Sequence, residues 1–216
     1  MLRALAFALL LPQPAAACET ALLLAIDISG SIDAGEYALQ VQGLADALAD
    51  PAVGDALLRG QAALAVVQWS GVGAQALVLP WQRMLNQRRI DRFAADARTL
   101  PRSFRASDTA VGQAIDFSAA QFDGVADCKR RVIDISGDGP ENAGFTVGPA
   151  RQRAEVAGIE INAIAIEDMG ASSPITQFYR RWAITKGGFV MTARGLGEYP
   201  RAIREKLLRE LGKPAA

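Results

Sequence analysis

One apolar run that ends in a polar turn constrains the fold more than any other part of the chain. Residues 21–26 are all apolar, which is typical of a strand covered on both faces in the middle of a parallel sheet. Asp27, Ser29, Gly30 and Ser31 follow directly. Ligands of open α/β sheets bind beyond the carboxyl ends of strands. Oxygen donors at alternate positions suit a small hard cation such as Mg²⁺, so the sequence predicts a metal site at this strand end.

Composition limits the classes of function. The 216 residues are 50% hydrophobic, which is enough for one core, and a single domain is expected. Basic and acidic residues balance at 23 each, so no overall charge favours nucleic acid or an anionic membrane. The chain has no histidine, which excludes Ser-His-Asp and Cys-His catalysis and every His-ligated metal site.

The first residues have the features of a secretory signal. A basic start is followed by an apolar run over 4–11 and an A-x-A cleavage site at 15–17. We therefore expect a signal peptide over 1–17 and a mature domain over 18–216. The protein would be periplasmic or secreted, without stable insertion in a membrane after cleavage. An uncleaved anchor and lipidation of Cys18 are the alternatives.

Apolar periodicity predicts alternating strands and helices in the rest of the chain. A short connection after the second strand permits an antiparallel hairpin. In the helix predicted over 174–185, four side chains share one face: Ile175, Phe178, Tyr179 and Trp182. We expect an α/β fold, a three-layer doubly wound sandwich with a mostly parallel six-stranded sheet and one antiparallel edge strand. The later strands are predicted over 62–69, 76–81, 132–136, 159–166 and 189–191. The helices are predicted from a capping box at Asp33 to Pro51, from Asn86, from Asp108 through Phe122, and over 149–157, 174–185 and 199–211.

The D-I-S-G-S turn resembles the metal-ion-dependent adhesion site of von Willebrand factor type A domains, the integrin I-like family. Thr109 in T-A-V-G-Q-A-I resembles the threonine of that site, and Asp138 in I-S-G-D-G resembles its second aspartate. The resemblance covers nearly the whole mature chain, in motif order and in element order. It implies that Ser29, Ser31 and Thr109 ligate a metal directly. Asp27 and Asp138 would act directly or through water.

The resemblance also implies a function. The chain is similar to a group of small exported bacterial proteins with this domain, and we expect a metal-dependent protein-binding module rather than an enzyme. Mg²⁺ or Mn²⁺ would bridge to an Asp or Glu carboxylate of an unknown partner protein, and no nucleic acid would be bound. One position departs from the family, because Gly137 stands where Thr or Ser usually precedes the second aspartate. This leaves the affinity for the metal open. Asp134 is close in sequence, but strand alternation is expected to bury it away from the site.

Two other functions stay open at this point. Mg²⁺ held by aspartates at strand ends also serves phosphoryl transfer or hydrolysis. Against an enzyme, no basic residue follows the site at the spacing of a P-loop, and Ser29 stands where aspartate-nucleophile phosphatases have a second Asp. A scaffold with a vestigial metal site is the other alternative, and Gly137 is the feature that favours it.

The order of strands in the family predicts a disulfide. It places the first and fourth strands side by side, and Cys18 and Cys128 lie just ahead of these strands. Both thiols would then emerge at the amino-terminal edge of the sheet, and an exported protein meets an oxidising compartment. We therefore predict a Cys18–Cys128 bond. The alternative is two free, buried thiols in a cytosolic protein.

Overall fold

The computed structural model describes residues 18–105, 108–167 and 175–214, and a six-stranded sheet lies at its centre. The strands are β1 (Thr20–Asp27), β2 (Ala63–Trp69), β3 (Gln75–Arg83), β4 (Arg130–Gly137), β5 (Ile159–Glu167) and β6 (Val190–Arg194). Their order in the sheet is β3-β2-β1-β4-β5-β6. β3 pairs antiparallel with β2, and the other pairs are parallel. The predicted sheet, with one antiparallel edge strand, is confirmed.

Helices cover both faces of the sheet and complete the predicted three-layer sandwich. Within the described residues, α1, α2, α3 and α7 pack on one face, and α4, α5 and α6 pack on the other. The helices are α1 (Ala34–Ala49), α2 (Pro51–Arg59), α3 (Gln87–Arg98), α4 (Val111–Ala119), α5 (Val147–Val156), α6 (Ile175–Phe178) and α7 (Tyr199–Gly212). Short 3-10 turns span Ala120–Val125 and Leu196–Glu198, and α6 continues as a π turn over Tyr179–Ala183.

The central strand β1 explains why the chain forms this sandwich. Every residue of β1 is buried. Leu22, Leu24 and Ile26 pack in one hydrophobic core, whereas Leu23 and Ala25 pack in the core on the opposite face. Alternation along a strand sends successive side chains to opposite faces, and burying one large aliphatic side chain contributes about 1.5–3 kcal/mol. A strand with an apolar run on both faces, such as 21–26, is therefore most stable between two layers of helices.

Local sequence signals explain where α1 begins and ends, and the signal at its end also starts α2, a helix that the sequence analysis did not predict. The Asp33 and Glu36 side chains each accept a hydrogen bond from the other residue's amide at 2.8 Å, so the predicted capping box is confirmed. α1 ends before Pro51, as predicted, but a second helix begins at once. The carboxylate of Asp50 caps it, accepting from the amide of Ala52 at 3.0 Å. Proline is favourable in the first turn of a helix, so Pro51 starts α2 as well as ending α1.

The helix predicted over 174–185 is wrong in its periodicity. Only α6 is regular, and the amide of Ile184 then donates to the carbonyl of Tyr179 at 3.1 Å across the π turn. A π turn adds one residue to the helical repeat, so side chains beyond it rotate away from their expected face. Tyr179 is completely buried, whereas 45% of Trp182 is exposed. Other boundaries shift by a few residues, and β6 continues to Arg194.

A buried ionic cluster joins α7 to the sheet. The ammonium group of Lys206 lies 2.5 Å from the carboxylate of Asp134 on β4 and 2.6 Å from that of Glu210. The side-chain amide of Asn162 on β5 also donates to Glu210 at 2.8 Å. All four residues are buried. Asp134 therefore faces α7 rather than the predicted metal site, as its position in the strand indicated.

Glu210 is expected to make the stability of the protein depend on pH. Burial, followed by the charge of Asp134, raises the pKa of Glu210 to about 8, whereas an unfolded glutamate has a pKa of about 4.3. Between these values the folded state holds a proton that the unfolded state has lost. The free energy of unfolding therefore falls as the pH rises, by at most about 1.4 kcal/mol per pH unit.

Chemical unfolding between pH 5 and pH 8 measures this contribution. The decline should be less steep in Glu210→Gln, which cannot ionise and keeps an oxygen for Lys206. Glu205→Gln is the matched control, because Glu205 lies on the same helix and its side chain is 44% exposed. Equal slopes for wild type and Glu210→Gln would contradict the assignment.

The predicted disulfide is confirmed. Cys18 and Cys128 are bonded, 110 residues apart in sequence, at the amino-terminal edge of the neighbouring strands β1 and β4. The predicted signal peptide over 1–17 lies outside the described residues. Within the described ranges, no helix has the length and apolar character needed to cross a bilayer.

Candidate metal centre

Polar segments meet at the carboxyl-terminal rim of the parallel strands. Asp27 is the last residue of β1 and lies beside Trp69 at the end of β2. β4 ends at Gly137, and Asp138 follows it directly. Because β1 is hydrogen-bonded to both β2 and β4, these three strand ends lie side by side. The rim therefore brings together the two aspartates that the sequence analysis singled out.

The turn after β1 is held in a fixed shape by its own hydrogen bonds. The Oδ1 atom of Asp27 accepts from the amide of Ser29 at 2.7 Å, and the amide of Ile32 donates to the carbonyl of Ser29 at 3.1 Å. The hydroxyls of Ser29 and Ser31 lie 3.2 Å apart. Arg102 donates to the carbonyls of two residues in the turn, at 2.7 Å each. The hydroxyl oxygens thus converge, as the alternate spacing indicated.

A direct hydrogen bond joins this turn to the segment after β4. The hydroxyl of Ser31 donates to Oδ1 of Asp138 at 2.7 Å, across 107 residues of sequence. A Cβ atom on Gly137, the residue before Asp138, would lie 2.9 Å from Oδ2 of Asp27, so Asp27 lies beside the start of this segment. Four of the five predicted ligands are therefore in one cluster.

The loop that carries Thr109 is attached to the same rim. The amide of Thr109 donates to the side chain of Asn142 at 2.8 Å, and its carbonyl accepts from the amide of Asn142 at 3.0 Å. Asn142 lies four residues after Asp138 in the loop between β4 and α5. The amide of Ala110 also donates to Ser70, the residue after β2, at 2.9 Å. Thr109 is 4% exposed and thus lies beneath the surface of the rim.

The electrostatics of the rim fit a divalent cation. Burial, followed by the charge of Asp138, raises the pKa of Asp27 to about 7. Burial also raises the pKa of Asp138. The Oδ2 atom of Asp27 is buried and has no hydrogen-bond partner among the described residues. A carboxylate oxygen without a partner is costly to bury, and a bound cation would offset that cost.

The chemistry of the donors also fits. Two carboxylates and three hydroxyls are hard oxygen ligands, which Mg²⁺ and Mn²⁺ accept and which leave positions for water. The described ranges contain no cluster of three or more His, Cys, Asp or Glu side chains that could hold a metal. The hydroxyls of Ser29, Ser31 and Thr109 are therefore essential to the proposed ligand set, whose role as metal ligands stays a prediction.

The structure explains why position 137 is glycine rather than the Thr or Ser that is usual in von Willebrand factor type A domains. A Cβ atom at this position would collide with the hydroxyl of Tyr179 and lie 2.9 Å from Oδ2 of Asp27. The ring of Trp69 would be 3.3 Å away. A hydroxyl-bearing side chain at position 137 therefore has no room, because the aromatic residues of β2 and of the π turn occupy that space.

The sequence analysis missed several residues that hold the site. Arg102 and Asn142 fix the turn and the threonine loop, and Glu141 accepts from the amides of Gly112 at 2.8 Å and Val147 at 3.1 Å, at the start of α4 and α5. Asn142 and Glu141 follow Asp138 closely, which was an available signal. No such sequence signal exists for Arg102 and Tyr179, because the residues that they contact are distant in sequence.

A recess of about 350 Å³ opens beside the cluster. It is lined by Ser31, Glu36 and Asp138 from the polar side, and by Ile166, Gly195 and Leu196 from the ends of β5 and β6. The recess is large enough for an incoming side chain. A group that enters it reaches Ser31 and Asp138 directly.

Solved structures show the same fold. "von Willebrand factor type A from Catenulispora acidiphila" superposes with a TM-score of 0.66 at 18% identity, covering 90% of this chain and 43% of that chain. The mussel byssus protein PTMP1, in a structure "with zinc occupied MIDAS motif", gives 0.65 at 19% identity, covering 91% and 48%. BatB from Bacteroides thetaiotaomicron gives 0.58 at 16% identity, covering 90% and 98%. The chain thus spans about half the length of the PTMP1 structures.

Sequence comparison gives a family for nearly the whole chain. No curated protein matches it in sequence. The family model described as "Protein of unknown function (DUF1194)" matches residues 17–215. The chain therefore belongs to the DUF1194 family, and its fold is that of a von Willebrand factor type A domain.

Proposed function

We propose that the protein is an exported, metal-dependent protein-binding module. Asp27, Ser29, Ser31, Thr109 and Asp138 would hold a Mg²⁺ or Mn²⁺ ion at the rim of the sheet. The bound cation would supply an electrophilic site for an Asp or Glu carboxylate of a partner protein. The observation that carries the proposal is the Ser31–Asp138 hydrogen bond beside the unpartnered oxygen of Asp27.

The charge of the recess favours strict dependence on the metal. Glu36 and Asp138 both line it, so the recess alone would repel a carboxylate. A divalent cation between these groups and the incoming carboxylate reverses that interaction. The zinc-occupied site of PTMP1 supports the use of a divalent cation on this fold. The Cys18–Cys128 bond supports export, since disulfides persist in oxidising compartments such as the periplasm.

Calorimetry with Mg²⁺ and Mn²⁺ tests the proposal. Asp138→Ala should lower the affinity for either metal at least about 100-fold, because losing a charged ligand costs more than losing a group that orients one. The fold should persist, since Asp138 lies at the edge of the core. Asp55→Ala is the control, because Asp55 is exposed on α2, remote from the rim. Equal heats for wild type and Asp138→Ala would reject the metal centre.

A further inference from the structure

Two buried polar atoms without partners lie next to Gly137, at the candidate metal centre. The hydroxyl of Tyr179 and the Oδ2 atom of Asp27 each lack a hydrogen-bond partner among the described residues, and both residues are completely buried. Both atoms lie around Gly137, against the position where a Cβ would stand. A hydroxyl donor and a carboxylate acceptor thus occupy the same small space.

The free-energy cost of burying the Tyr179 hydroxyl without a partner indicates that this hydroxyl has a function. Leaving a buried hydroxyl unpaired costs about 1–3 kcal/mol, and phenylalanine at the same place would avoid that cost. The rest of the Tyr179 side chain is already well packed, with its ring 5.3 Å from that of Phe178 in an edge-on contact. Packing alone therefore explains the ring of Tyr179 but not its hydroxyl.

The hydroxyl of Tyr179 reaches this position because the backbone forms a π turn at Tyr179. Tyr179 is the first residue of the π turn, whose closing bond joins its carbonyl to the amide of Ile184. Such turns change the direction of side chains and are frequent at functional sites. On the opposite side, Gly137 omits a side chain and so leaves room for the hydroxyl.

We infer that Tyr179 is a positioning residue of the metal centre, whose hydroxyl donates to Oδ2 of Asp27 when the cation is bound. This inference rests on the proposed function. The hydrogen bond would fix the rotation of the Asp27 carboxylate and so aim it at the cation. Groups that orient ligands in this way typically change metal affinity 10–100-fold when removed.

Tyr179→Phe tests the inference, with Tyr37→Phe as the matched control. Tyr37 is also buried, but its hydroxyl is fully paired: it donates to the carbonyl of Leu100 at 2.9 Å and accepts from Gln68 at 2.7 Å. We expect Tyr179→Phe to weaken Mg²⁺ binding about 10–100-fold in calorimetry, and to leave the unfolding temperature of chelator-treated protein unchanged or higher. Tyr37→Phe should lower that temperature, and Asp55→Ala, remote from the rim on α2, should leave the Mg²⁺ affinity unchanged.

The outcomes separate this inference from the proposed function. If wild type binds Mg²⁺ and Tyr179→Phe binds it equally well, the positioning role is overturned and the metal centre stands. If Tyr179→Phe lowers the unfolding temperature of the metal-free protein as much as Tyr37→Phe does, the hydroxyl is structural and the inference is also overturned. If wild type binds neither Mg²⁺ nor Mn²⁺, both the proposed function and the inference fail.

Discussion

Replacing Lys206 by methionine is expected to lower the free energy of unfolding by about 3–5 kcal/mol. The ammonium group lies 2.5 Å from Asp134 and 2.6 Å from Glu210, with no exposed surface on its side chain. Methionine fills a similar volume but leaves the Asp134 carboxylate buried without a counter-charge. Denaturant unfolding measures the loss, which corresponds to a drop of roughly 6–20 °C in Tm for a chain of this size.

Two further variants separate this charge effect from packing. Lys186→Met should change stability by less than about 0.5 kcal/mol, because Lys186 is exposed. Adding Asp134→Asn to Lys206→Met should recover part of the loss, since it removes the unpaired charge. If Lys206→Met is no more destabilising than Lys186→Met, the cluster does not hold α7 on the sheet.

Removing the disulfide is the second change with a large expected effect. The Cys18–Cys128 bond spans 110 residues, and closing a loop of that order contributes about 4.7 kcal/mol in the chain-entropy model. Native disulfides in exported domains typically contribute about 2–5 kcal/mol when measured. We therefore expect Cys18→Ala with Cys128→Ala to lose stability in that range, as measured by denaturant unfolding.

A reductant provides the control for this change. Reduction of wild type should lower the denaturation midpoint towards that of the double variant, whose own midpoint should not respond. Both sulfurs are buried, so reduction is followed by counting alkylated thiols. A wild-type midpoint that stays constant after both thiols are alkylated would disprove the stabilising role.

Much of the fold could be predicted because its signals are local. The apolar run over 21–26 indicates a strand between two layers, and the capping box at Asp33 and the cap at Asn86 mark helix starts that the structure contains. α2 could have been predicted as well, since Asp50 followed by Pro51 is a favourable helix start. The π turn after α6 could not, because a regular repeat of 3.6 residues does not reveal an inserted residue.

The candidate metal centre likewise contains residues that the sequence predicts and residues that it does not. The order of the oxygen-bearing motifs is a property of the sequence, and its resemblance to the adhesion site of von Willebrand factor type A domains predicts Asp27, Ser29, Ser31, Thr109 and Asp138 as ligands. The groups that support those residues are remote in the chain. Arg102 lies over 70 residues from the turn that it holds, and no local pattern links the two.

By itself, the sequence determined the central strand, the alternation of strands and helices, and the residue types available to bind a cation. These depend on side-chain hydrophobicity and spacing, which act between near neighbours. Only the tertiary structure decided that Lys206 neutralises Asp134, and that Tyr179 fills the space left by Gly137 beside Asp27. Those contacts depend on how distant segments pack against one another, and close packing admits one side chain where another would collide.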